Sequence, residues 1–351
     1  MKILFVNFIS FWGGGESWTY QVMDELRKRN HSVLLLSNTK SELKIKAELN
    51  GFETHSFSVN KLSFLNIFLL SKIKNKLQEL KPDVIILNSS LELKTVGLIV
   101  KSSGCSKIIF TRGIPSPMKM KPLKHYLFSN MVTNVIVNSN YVKKSVANIA
   151  ALLKNEPTVI YHGIHPETVL EAKGGTNNIA IVGRLSHEKG VDLALKAMTN
   201  VLKSVPEAKL WIIGDGKEKE NLKRLASELG IEKSVDFFGF VKNVDELLVQ
   251  CSILVLPSRW EGFGLVLLEA MKLKMPCIAF DHTAANEIII NKETGFLVPN
   301  MDEVLMSEKI IDLLKNPELA IEMGKKGKEL LTRKFTIDKS IDGYEKIMKQ
   351  Q

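Results

Sequence analysis

Two glutamates in the segment Ser258–Met271, SRWEGFGLVLLEAM, have the side-chain types and the spacing best suited to chemistry. Glu261 and Glu269 are eight positions apart, on either side of a glycine-containing turn that opens an amphipathic helix. Gly262 and Gly264 let backbone N–H groups approach an oxygen-rich ligand, and the positive end of the helix favours a phosphate. The spacing predicts a site for a polyhydroxylated, phosphate-bearing ligand such as a sugar nucleotide. The alternative is an ordinary strand-to-helix junction in which Glu261 is solvated and Glu269 is incidental.

Two further glycine turns follow apolar strands earlier in the same half of the chain. Residues 179–197 read IAIVGRLSHEKGVDLALKA, and residues 210–231 read LWIIGDGKEKENLKRLASELGI, followed by VDFFGFV at 235–241. In order and spacing, these segments and the Glu-x7-Glu segment resemble the nucleotide-sugar-binding half of family 4 glycosyltransferases, a retaining group with the GT-B fold, also described as group 1. The resemblance covers essentially the whole C-terminal half.

The resemblance implies a role for each matched residue in binding a nucleoside-diphosphate sugar. Gly183, Arg184 and Lys189 bind the diphosphate, Glu269 binds the ribose hydroxyls, and Glu261 binds the sugar with the help of backbone groups at 263–265. The loop at 239–241 frames the base. The donor-binding residues implied in this way are Gly183, Gly214, Gly216, Phe240, Val241, Phe263, Gly264, Leu265 and Glu269.

The departing diphosphate needs a positive partner, because negative charge builds on it as the glycosidic bond breaks. Many glycosyltransferases use a divalent metal held by Asp-x-Asp, and no such triplet occurs in this sequence. Arg184 and Lys189 are the expected substitutes, each charge-assisted hydrogen bond contributing about 1.5–3 kcal/mol. With Glu261 they form the predicted catalytic set, and no metal is expected. The alternative for each cation is a surface charge beside a helix end.

Retention of configuration is implied by the resemblance alone. In the family, an oxygen of the leaving group accepts the proton of the acceptor on the same face of the sugar. A double displacement would need an enzyme nucleophile, for which Glu261 is the one obvious candidate, and its implied role as a sugar ligand argues against this.

The first half of the chain matches the family more loosely, and it is expected to hold the acceptor. Gly13-Gly14-Gly15-Glu16 follows the first strand and resembles the family's glycine-rich loop, a plain tight turn being the alternative. Arg112 stands where many members of the family have a histidine, and the role of that histidine therefore does not transfer to this chain. Arg112 is expected to bind an anionic group or the sugar. Gly14, Gly15, Glu16 and Arg112 form the predicted acceptor-side set. His162 and His165 are expected to be structural.

Length and composition indicate about two globular α/β domains. The chain has 351 residues, 45% hydrophobic and 25% charged, which suits two domains of about 100–200 residues. The predicted units are 1–172, a Rossmann-like domain; 173–334, the donor domain; and 335–351, a helix that crosses back to the first domain. Scattered cysteines (Cys105, Cys251 and Cys277) indicate neither disulfides nor zinc and favour a cytoplasmic setting. MKILFVNFIS is interpreted as a buried strand rather than a signal peptide.

Apolar runs alternate with helical periodicity, which predicts two doubly wound parallel sheets whose ligand-binding strand ends face a central cleft. The predicted strands are Ile3–Phe8, Val33–Leu36, Val84–Leu87, Lys107–Phe110, Asn134–Val137, Thr158–Ile160, Ile179–Val182, Lys209–Ile213, Val235–Phe237, Ile253–Leu256, Cys277–Ala279 and Phe296–Val298.

A formal net charge of +10 suggests an anionic partner in addition to the donor. Residues 61–82 and 118–124 combine apolar side chains with lysines that suit an anionic membrane surface, namely Lys72, Lys74, Lys76, Lys119, Lys121 and Lys124. The alternative is that Leu65, Leu69, Ile73, Leu77 and Leu80 form the buried face of a domain helix and the lysines are merely solvated. Nucleic acid is not expected, because no nucleic-acid-binding motif is present.

Three other classes of protein compete with a glycosyltransferase. A dinucleotide oxidoreductase is rejected, because G-x-G-x-x-G fails at Trp18 when counted from Gly13 and at Lys219 when counted from Gly214. A sugar-nucleotide epimerase of the same fold needs no acceptor, and a non-catalytic binding module has little need for the whole donor constellation.

The resulting prediction is a metal-independent hexosyltransferase that uses a nucleoside-diphosphate sugar, in the first instance a UDP-sugar, and no cofactor. Its expected acceptor is a saccharide or lipid-linked saccharide of polysaccharide or lipopolysaccharide synthesis. Its expected location is the cytoplasm, peripherally on the inner face of the plasma membrane.

Overall fold

Short strands buried on both faces build two parallel sheets, each in its own compact unit. The computed structural model describes residues 1–350, which divide into residues 1–161 with the C-terminal residues from 340, and residues 162–339. All four residues of Val84–Leu87, Ile253–Leu256 and Cys277–Phe280 are buried, as expected for strands covered by helices on both sides. The predicted fold class, two Rossmann-like α/β domains, is confirmed.

The first unit contains a seven-stranded parallel sheet with the strand order β3-β2-β1-β4-β5-β6-β7. Its elements before residue 162 are β1 (Lys2–Asn7), α1 (Gly14–Lys28), β2 (Ser32–Asn38), α2 (Glu42–Leu49), β3 (Glu53–Phe57), α3 (Ile67–Leu80), β4 (Val84–Leu87), α4 (Ser90–Gly97), β5 (Lys107–Arg112), α5 (Pro122–Asn130), β6 (Asn134–Val137), α6 (Asn140–Ser145), α7 (Ala147–Ala150) and β7 (Thr158–Val159).

The second unit contains a six-stranded parallel sheet with the order β10-β9-β8-β11-β12-β13. Its elements, with the last helix of the chain, are β8 (Asn178–Val182), α8 (Val191–Ser204), β9 (Lys209–Ile213), α9 (Lys219–Glu228), β10 (Val235–Gly239), α10 (Asp245–Leu248), β11 (Ile253–Leu256), α11 (Leu265–Lys272), β12 (Cys277–Phe280), β13 (Gly295–Val298), α12 (Glu303–Lys315), α13 (Pro317–Lys334) and α14 (Ile337–Lys349).

The boundary between the units lies at residues 161 and 162, whereas the sequence placed it at 172 and 173. The predicted boundary falls in the small, polar segment at 171–178, EAKGGTNN, whose composition suggests a linker, but the start of this segment is hydrogen-bonded to the second unit. The amide of Ala172 donates to the carbonyl of Leu273 at 2.8 Å, and the amide of Lys173 donates to that of Val249 at 2.8 Å. These backbone bonds explain why residues 162–172 belong to the second unit.

The end of α14, from residue 340 onward, clusters with the first unit. The Ser340 hydroxyl donates to the carbonyl of Tyr161 at 2.7 Å, and Arg29 pairs with Asp342 at 2.5 Å. Tyr344 is buried beside the Trp18 indole nitrogen at 3.5 Å, and burial raises the pKa of its phenol to about 12.

Helix α3 is amphipathic, and its buried face is shorter than the sequence suggested. Ile73, Leu77 and Leu80 are buried, whereas Leu65, expected on the same face, is 66% exposed in the turn before the helix. Lys76 is paired with Glu79 at 2.6 Å. Across residues 1–350, no helix combines the length and the apolar character needed to span a bilayer.

Candidate functional site

The loops after β8, β9 and β10 are interlocked through their backbones. The amide of Gly183 donates to the carbonyl of Ile213 at 3.0 Å, and the amide of Gly214 donates to that of Gly239 at 2.8 Å. A Cβ atom at Gly214 (φ +144°) would lie 1.9 Å from the carbonyl oxygen of Gly183, and one at Gly216 would lie 2.2 Å from that of Leu185. Glycine is therefore required at Gly214 and Gly216 by backbone packing, which the sequence did not distinguish from approach to a ligand.

Lys189 and Glu261 form an ion pair at the carboxyl ends of β8 and β11. Their Nζ and Oε2 atoms are 2.6 Å apart, and the Ser258 hydroxyl lies 3.3 Å from the same carboxylate oxygen. The aliphatic stem of Lys189 passes 3.9 Å from the position that a Cβ of Gly183 would occupy. Both charged side chains keep contact with solvent, at 27% and 13% exposure, so that a ligand can reach them. Arg184, which follows β8, is exposed.

Lys189 reaches Glu261 because its turn is docked closely on β11. Gly190, which follows Lys189, has φ +64°, and a Cβ there would lie 1.9 Å from the carbonyl oxygen of Pro257. The amide of Arg259 also donates to the carbonyl of Glu188 at 2.9 Å. The turn and the loop are thus joined on both sides of the ion pair.

A second ion pair, which the sequence analysis did not single out, supports this junction. Arg259 binds Asp192 through both guanidinium nitrogens at 2.7 Å and also donates to the carbonyl of His187 at 3.0 Å. Burial acts to raise the pKa of Asp192, but the hydrogen bonds and charge of Arg259 outweigh it and hold that pKa below its usual range. The sequence signal for this ion pair was an acidic residue in the first turn of α8 together with an arginine in the segment Ser258–Met271.

Residues 263–265, at the start of α11, offer a ligand backbone groups but not the face of the Phe263 ring. Phe263 is 2% exposed, and its ring packs 5.2 Å from that of His162 and 6.1 Å from that of Phe335. Burial lowers the pKa of His162 to about 3, so this histidine is neutral. Gly264 begins the helix at φ +94° in the left-handed region, and Leu265 follows as its first residue. Only the backbone of residues 263–265 is suited to contact a ligand.

Glu269 lies half-buried on α11, and no described residue from 1 to 350 gives its carboxylate an ion pair or hydrogen bond. Burial, and then the charge of Asp245, raise the pKa of this carboxyl. The nearby Lys272, which is paired with Asp245, lowers it less. A desolvated carboxylate at a strand-end site is typical of a group that accepts hydrogen bonds from a ligand.

An exposed aromatic side chain follows β10. Phe240 is 75% exposed, while its neighbour Val241 is half-buried, and the preceding Phe238 packs on Trp211 at 4.9 Å. Phe240 stands at the carboxyl end of the strand, where the open face of a ring can stack on a planar ligand.

In the first unit, the glycine turn after β1 is open and Glu16 is buried. A Cβ at Gly14 or Gly15 would meet no atom within 4 Å, so packing among the described residues does not demand glycine there. Glu16 is 4% exposed in the first turn of α1, with an oxygen 3.5 Å from the Asn7 amide nitrogen. Its carboxylate is thus directed into the fold rather than toward solvent.

A second buried carboxylate, which the sequence analysis did not identify, ties β1 to α4. Glu92 accepts the amide of Phe8 at 2.7 Å and the hydroxyl of Ser89, and burial raises its pKa.

Arg112 ends β5 with its guanidinium partly enclosed. One Nη atom donates to the carbonyl of Ser116 at 2.5 Å, whereas the Nε atom is buried with no acceptor among residues 1–350. Within the same residues, no group of three His, Cys, Asp or Glu side chains is arranged to hold a metal ion.

Two family models match the chain and together span residues 12–330. The model for Glycosyltransferase Family 4 matches residues 12–168, and that for Glycosyl transferases group 1 matches residues 167–330. An uncharacterized glycosyltransferase of Haemophilus influenzae is 28% identical over 368 residues, covering 98% of each chain. The N-acetyl-alpha-D-glucosaminyl L-malate synthase of Bacillus anthracis is 36% identical over 159 residues, 45% of this chain and 42% of that protein.

Solved structures share the fold over the whole chain. The HepE protein of Anabaena, solved with UDP and glucose, gives a TM-score of 0.84 at 20% identity and covers 99% of this chain and 98% of its own. TarM of Staphylococcus aureus, solved in complex with UDP, gives 0.82 at 14% identity and covers 100% of both chains. Since one glycosyltransferase model matches each half and the fold agrees from end to end, the chain belongs to the glycosyltransferases of GT-B fold.

Proposed function

We propose that the chain transfers a hexose from a UDP-sugar to a saccharide or lipid-linked saccharide, with retention and without a metal. The observations that carry this proposal are a reachable Lys189–Glu261 ion pair at the carboxyl ends of β8 and β11 and, on the helix that follows β11, a Glu269 carboxylate that has no partner among residues 1–350. A cation suits a diphosphate, and carboxylates suit the hydroxyls of ribose and hexose.

In the proposed complex, each side chain binds the part of the donor that fits its chemistry. Glu269 accepts the ribose hydroxyls, Arg184 and Lys189 bind the diphosphate, and Glu261 accepts hydroxyls of the hexose. The ion pair at 2.6 Å holds Lys189 in place before the donor arrives, which reduces the reorganisation needed when charge develops. Phe240 stacks on the base.

Transfer then needs one bond broken and one formed at the anomeric carbon. The bond to the diphosphate oxygen breaks with its electron pair, and the acceptor hydroxyl oxygen bonds to the same face of the sugar. The hydroxyl proton passes to an oxygen of the departing diphosphate. Arg184 and Lys189 stabilise the negative charge that develops there, which is the role a metal plays in enzymes with Asp-x-Asp.

Related proteins support the proposed donor and the proposed stereochemistry. HepE was solved with UDP and glucose. A relative from Staphylococcus aureus, 29% identical over 47% of this chain, is named poly(ribitol-phosphate) alpha-N-acetylglucosaminyltransferase. An α-linked product from a sugar that is α-linked to its diphosphate means retention. For this chain, the hexose and the retention remain part of the proposal.

We also propose that the first unit works at the inner face of an anionic membrane. Leu62, Leu65, Ile67 and Phe68 are between 66% and 77% exposed around the start of α3. Lys72 and Lys74 are exposed further along this helix. Exposed apolar side chains beside lysines suit the boundary between lipid headgroups and acyl chains.

The central test is acceptor-dependent release of UDP. Purified protein is incubated with UDP-sugars and candidate saccharide acceptors, and free UDP is measured with and without EDTA. We expect release that requires the acceptor and survives EDTA, because Arg184 and Lys189 meet the leaving group. Conversion of the donor without an acceptor indicates an epimerase, and donor binding with no turnover indicates a binding module. Loss of turnover in EDTA with recovery on magnesium or manganese contradicts the metal-independent assignment.

Removing either cation should slow transfer strongly. Arg184→Ala and Lys189→Ala are each expected to lower turnover by about 10²–10³, because they act on charge that develops in the transition state. The control is Lys203→Ala, which removes an exposed lysine of α8. Steady-state turnover and circular dichroism are measured for all three variants. A folded Arg184→Ala variant with near-normal turnover removes that residue from the mechanism.

Glu269→Gln should weaken UDP binding and stabilise the fold at neutral pH. The raised pKa means that the folded chain favours the protonated carboxyl. This group's contribution to stability is therefore present below its ordinary pKa of about 4.3 and is lost as the pH rises past it toward the raised value. The variant should melt higher than the parent at pH 7, with a smaller difference near pH 4, and its dissociation constant for UDP should rise about tenfold to hundredfold.

The control for Glu269 is Glu308→Gln, which changes an exposed glutamate of α12 and should alter neither property. Melting temperatures and UDP titrations give the readouts. Unchanged UDP affinity in Glu269→Gln excludes a ribose contact, whatever the stability shows.

Membrane attachment should depend on lipid charge and on salt. We expect flotation with anionic but not neutral vesicles at low salt, and loss at high salt, since the Debye length is about 8 Å at physiological ionic strength. Combined replacement of Lys119, Lys121 and Lys124 by Gln should reduce flotation. The same change at the exposed Lys203, Lys233 and Lys315 keeps the net charge equal and should not. Equal recovery on both vesicle types means that the lysines only solvate the surface.

A further inference from the structure

Four cations gather beyond the carboxyl ends of β4 and β5 in the first unit. They are Arg112 at the end of β5, Lys94 in α4, Lys121 just before α5, and Lys124 in its first turn. Burial, followed by the charges of Lys94, Arg112 and Lys121, lowers the pKa of Lys124. Each of the other three cations therefore lies near enough to Lys124 to act on its charge.

Within the part of the chain that the structure describes, no carboxylate pairs with these cations. Among residues 1–350, none of the four cations forms an ion pair with Asp or Glu, and Lys124 donates instead to the carbonyl of Lys119 at 3.2 Å. The buried carboxylate of α4, Glu92, is occupied by the amide of Phe8 and the hydroxyl of Ser89. The positive charges around Lys124 are therefore not offset by a carboxylate among the described residues.

Arg112 adds an unused donor to the cluster. Its guanidinium is partly buried, which lowers its pKa, and its Nε atom is enclosed with no acceptor among residues 1–350. The partners of its Nη atom, the carbonyl and hydroxyl of Ser116, are uncharged. A buried donor on a desolvated cation is costly unless an anion completes it.

We propose that this four-cation cluster binds a phosphate group carried by the acceptor. The inference rests on the proposed transferase function and specifies its acceptor. The fork of a guanidinium matches two phosphate oxygens, and the lysines supply point charges for the rest. The start of α5, a nine-residue helix whose first residue is Pro122, adds the positive end of its dipole. The position beyond the strand ends is where ligands of doubly wound sheets bind.

The surroundings of the cluster suit a phosphate that is attached to an apolar chain. The Lys94 ammonium lies 5.0 Å from the centre of the Phe64 ring, which connects the cluster to the turn that precedes α3. Leu65 and Phe68, next along the chain, are 66% and 77% exposed. The shared chemistry is a phosphate group, and its two possible sources are a lipid-linked saccharide and a water-soluble sugar phosphate.

Phosphorus NMR with the donor site filled provides the test. Phenyl phosphate is titrated against protein saturated with UDP, whose own phosphorus resonances are separate. We expect saturable broadening, with affinity lowered about tenfold to hundredfold in Arg112→Gln and in Lys124→Gln, and less in Arg112→Lys, which keeps the charge. The control Lys101→Gln removes an exposed lysine outside the cluster and should bind normally.

Circular dichroism melting establishes that each variant is folded, since UDP binding reports on the second unit alone. Equal affinity for phenyl phosphate in the parent, Arg112→Gln and Lys124→Gln overturns the proposal. So does the absence of saturable binding to the parent. Because this titration needs no turnover, it is separable from the transferase function, which is measured on the same samples as acceptor-dependent release of UDP.

Octyl phosphate, titrated in parallel, distinguishes the two sources. If the phosphate belongs to a lipid, octyl phosphate should bind more tightly than phenyl phosphate, and Phe68→Ser should weaken only the octyl compound. If Phe68→Ser changes neither, the phosphate site serves a water-soluble acceptor. Either source requires the four cations. Loss of binding of both octyl phosphate and phenyl phosphate in Arg112→Gln therefore supports the site in either case.

Discussion

Close approach of backbone to backbone at the strand ends of the second unit is the constraint on which the proposed donor site depends. At Gly214 and Gly190, a single added carbon would lie 1.9 Å from a neighbouring carbonyl oxygen. These contacts pack the loops after β8, β9 and β11 directly against one another. Lys189 reaches Glu261 only because its turn lies so close to the loop after β11. Glycine packing brings the two side chains of this ion pair within reach of each other, and the ion pair then fixes the position of the charge.

Charge in this chain is arranged in two different ways. Arg259 with Asp192 is a bidentate pair that completes the fold around the site and leaves little capacity for a ligand. Glu269 and the cluster around Arg112 are the opposite case, because desolvation shifts their pKa values without a compensating partner. The fold bears that cost at strand ends in both units, which is the behaviour expected of binding groups rather than structural ones.

The sequence predicted twelve strands that the structure confirms, and it missed β3, Glu53–Phe57. That strand lies at the edge of the sheet and reads ETHSF, so it lacks the continuous apolar run that marks a strand buried on both faces. The boundary between the units lies eleven residues before the predicted one. The small polar residues at 171–178 suggest a linker, but the backbone amides of Ala172 and Lys173 are hydrogen-bonded to the second unit. Because these hydrogen bonds join backbone atoms, the pattern of side chains in the sequence does not reveal them.

Within the candidate site, motif spacing predicts which residues take part but not what each atom does. Phe263 belongs to the predicted donor set, yet its ring is part of a core with His162 and Phe335, and only its backbone is offered to a ligand. Gly214 is likewise conformationally necessary whether or not a phosphate lies nearby. Spacing reports which residues recur together, whereas direction and burial are set by tertiary packing. Glu269 is therefore the more informative residue, because no contact within the described fold accounts for its carboxylate.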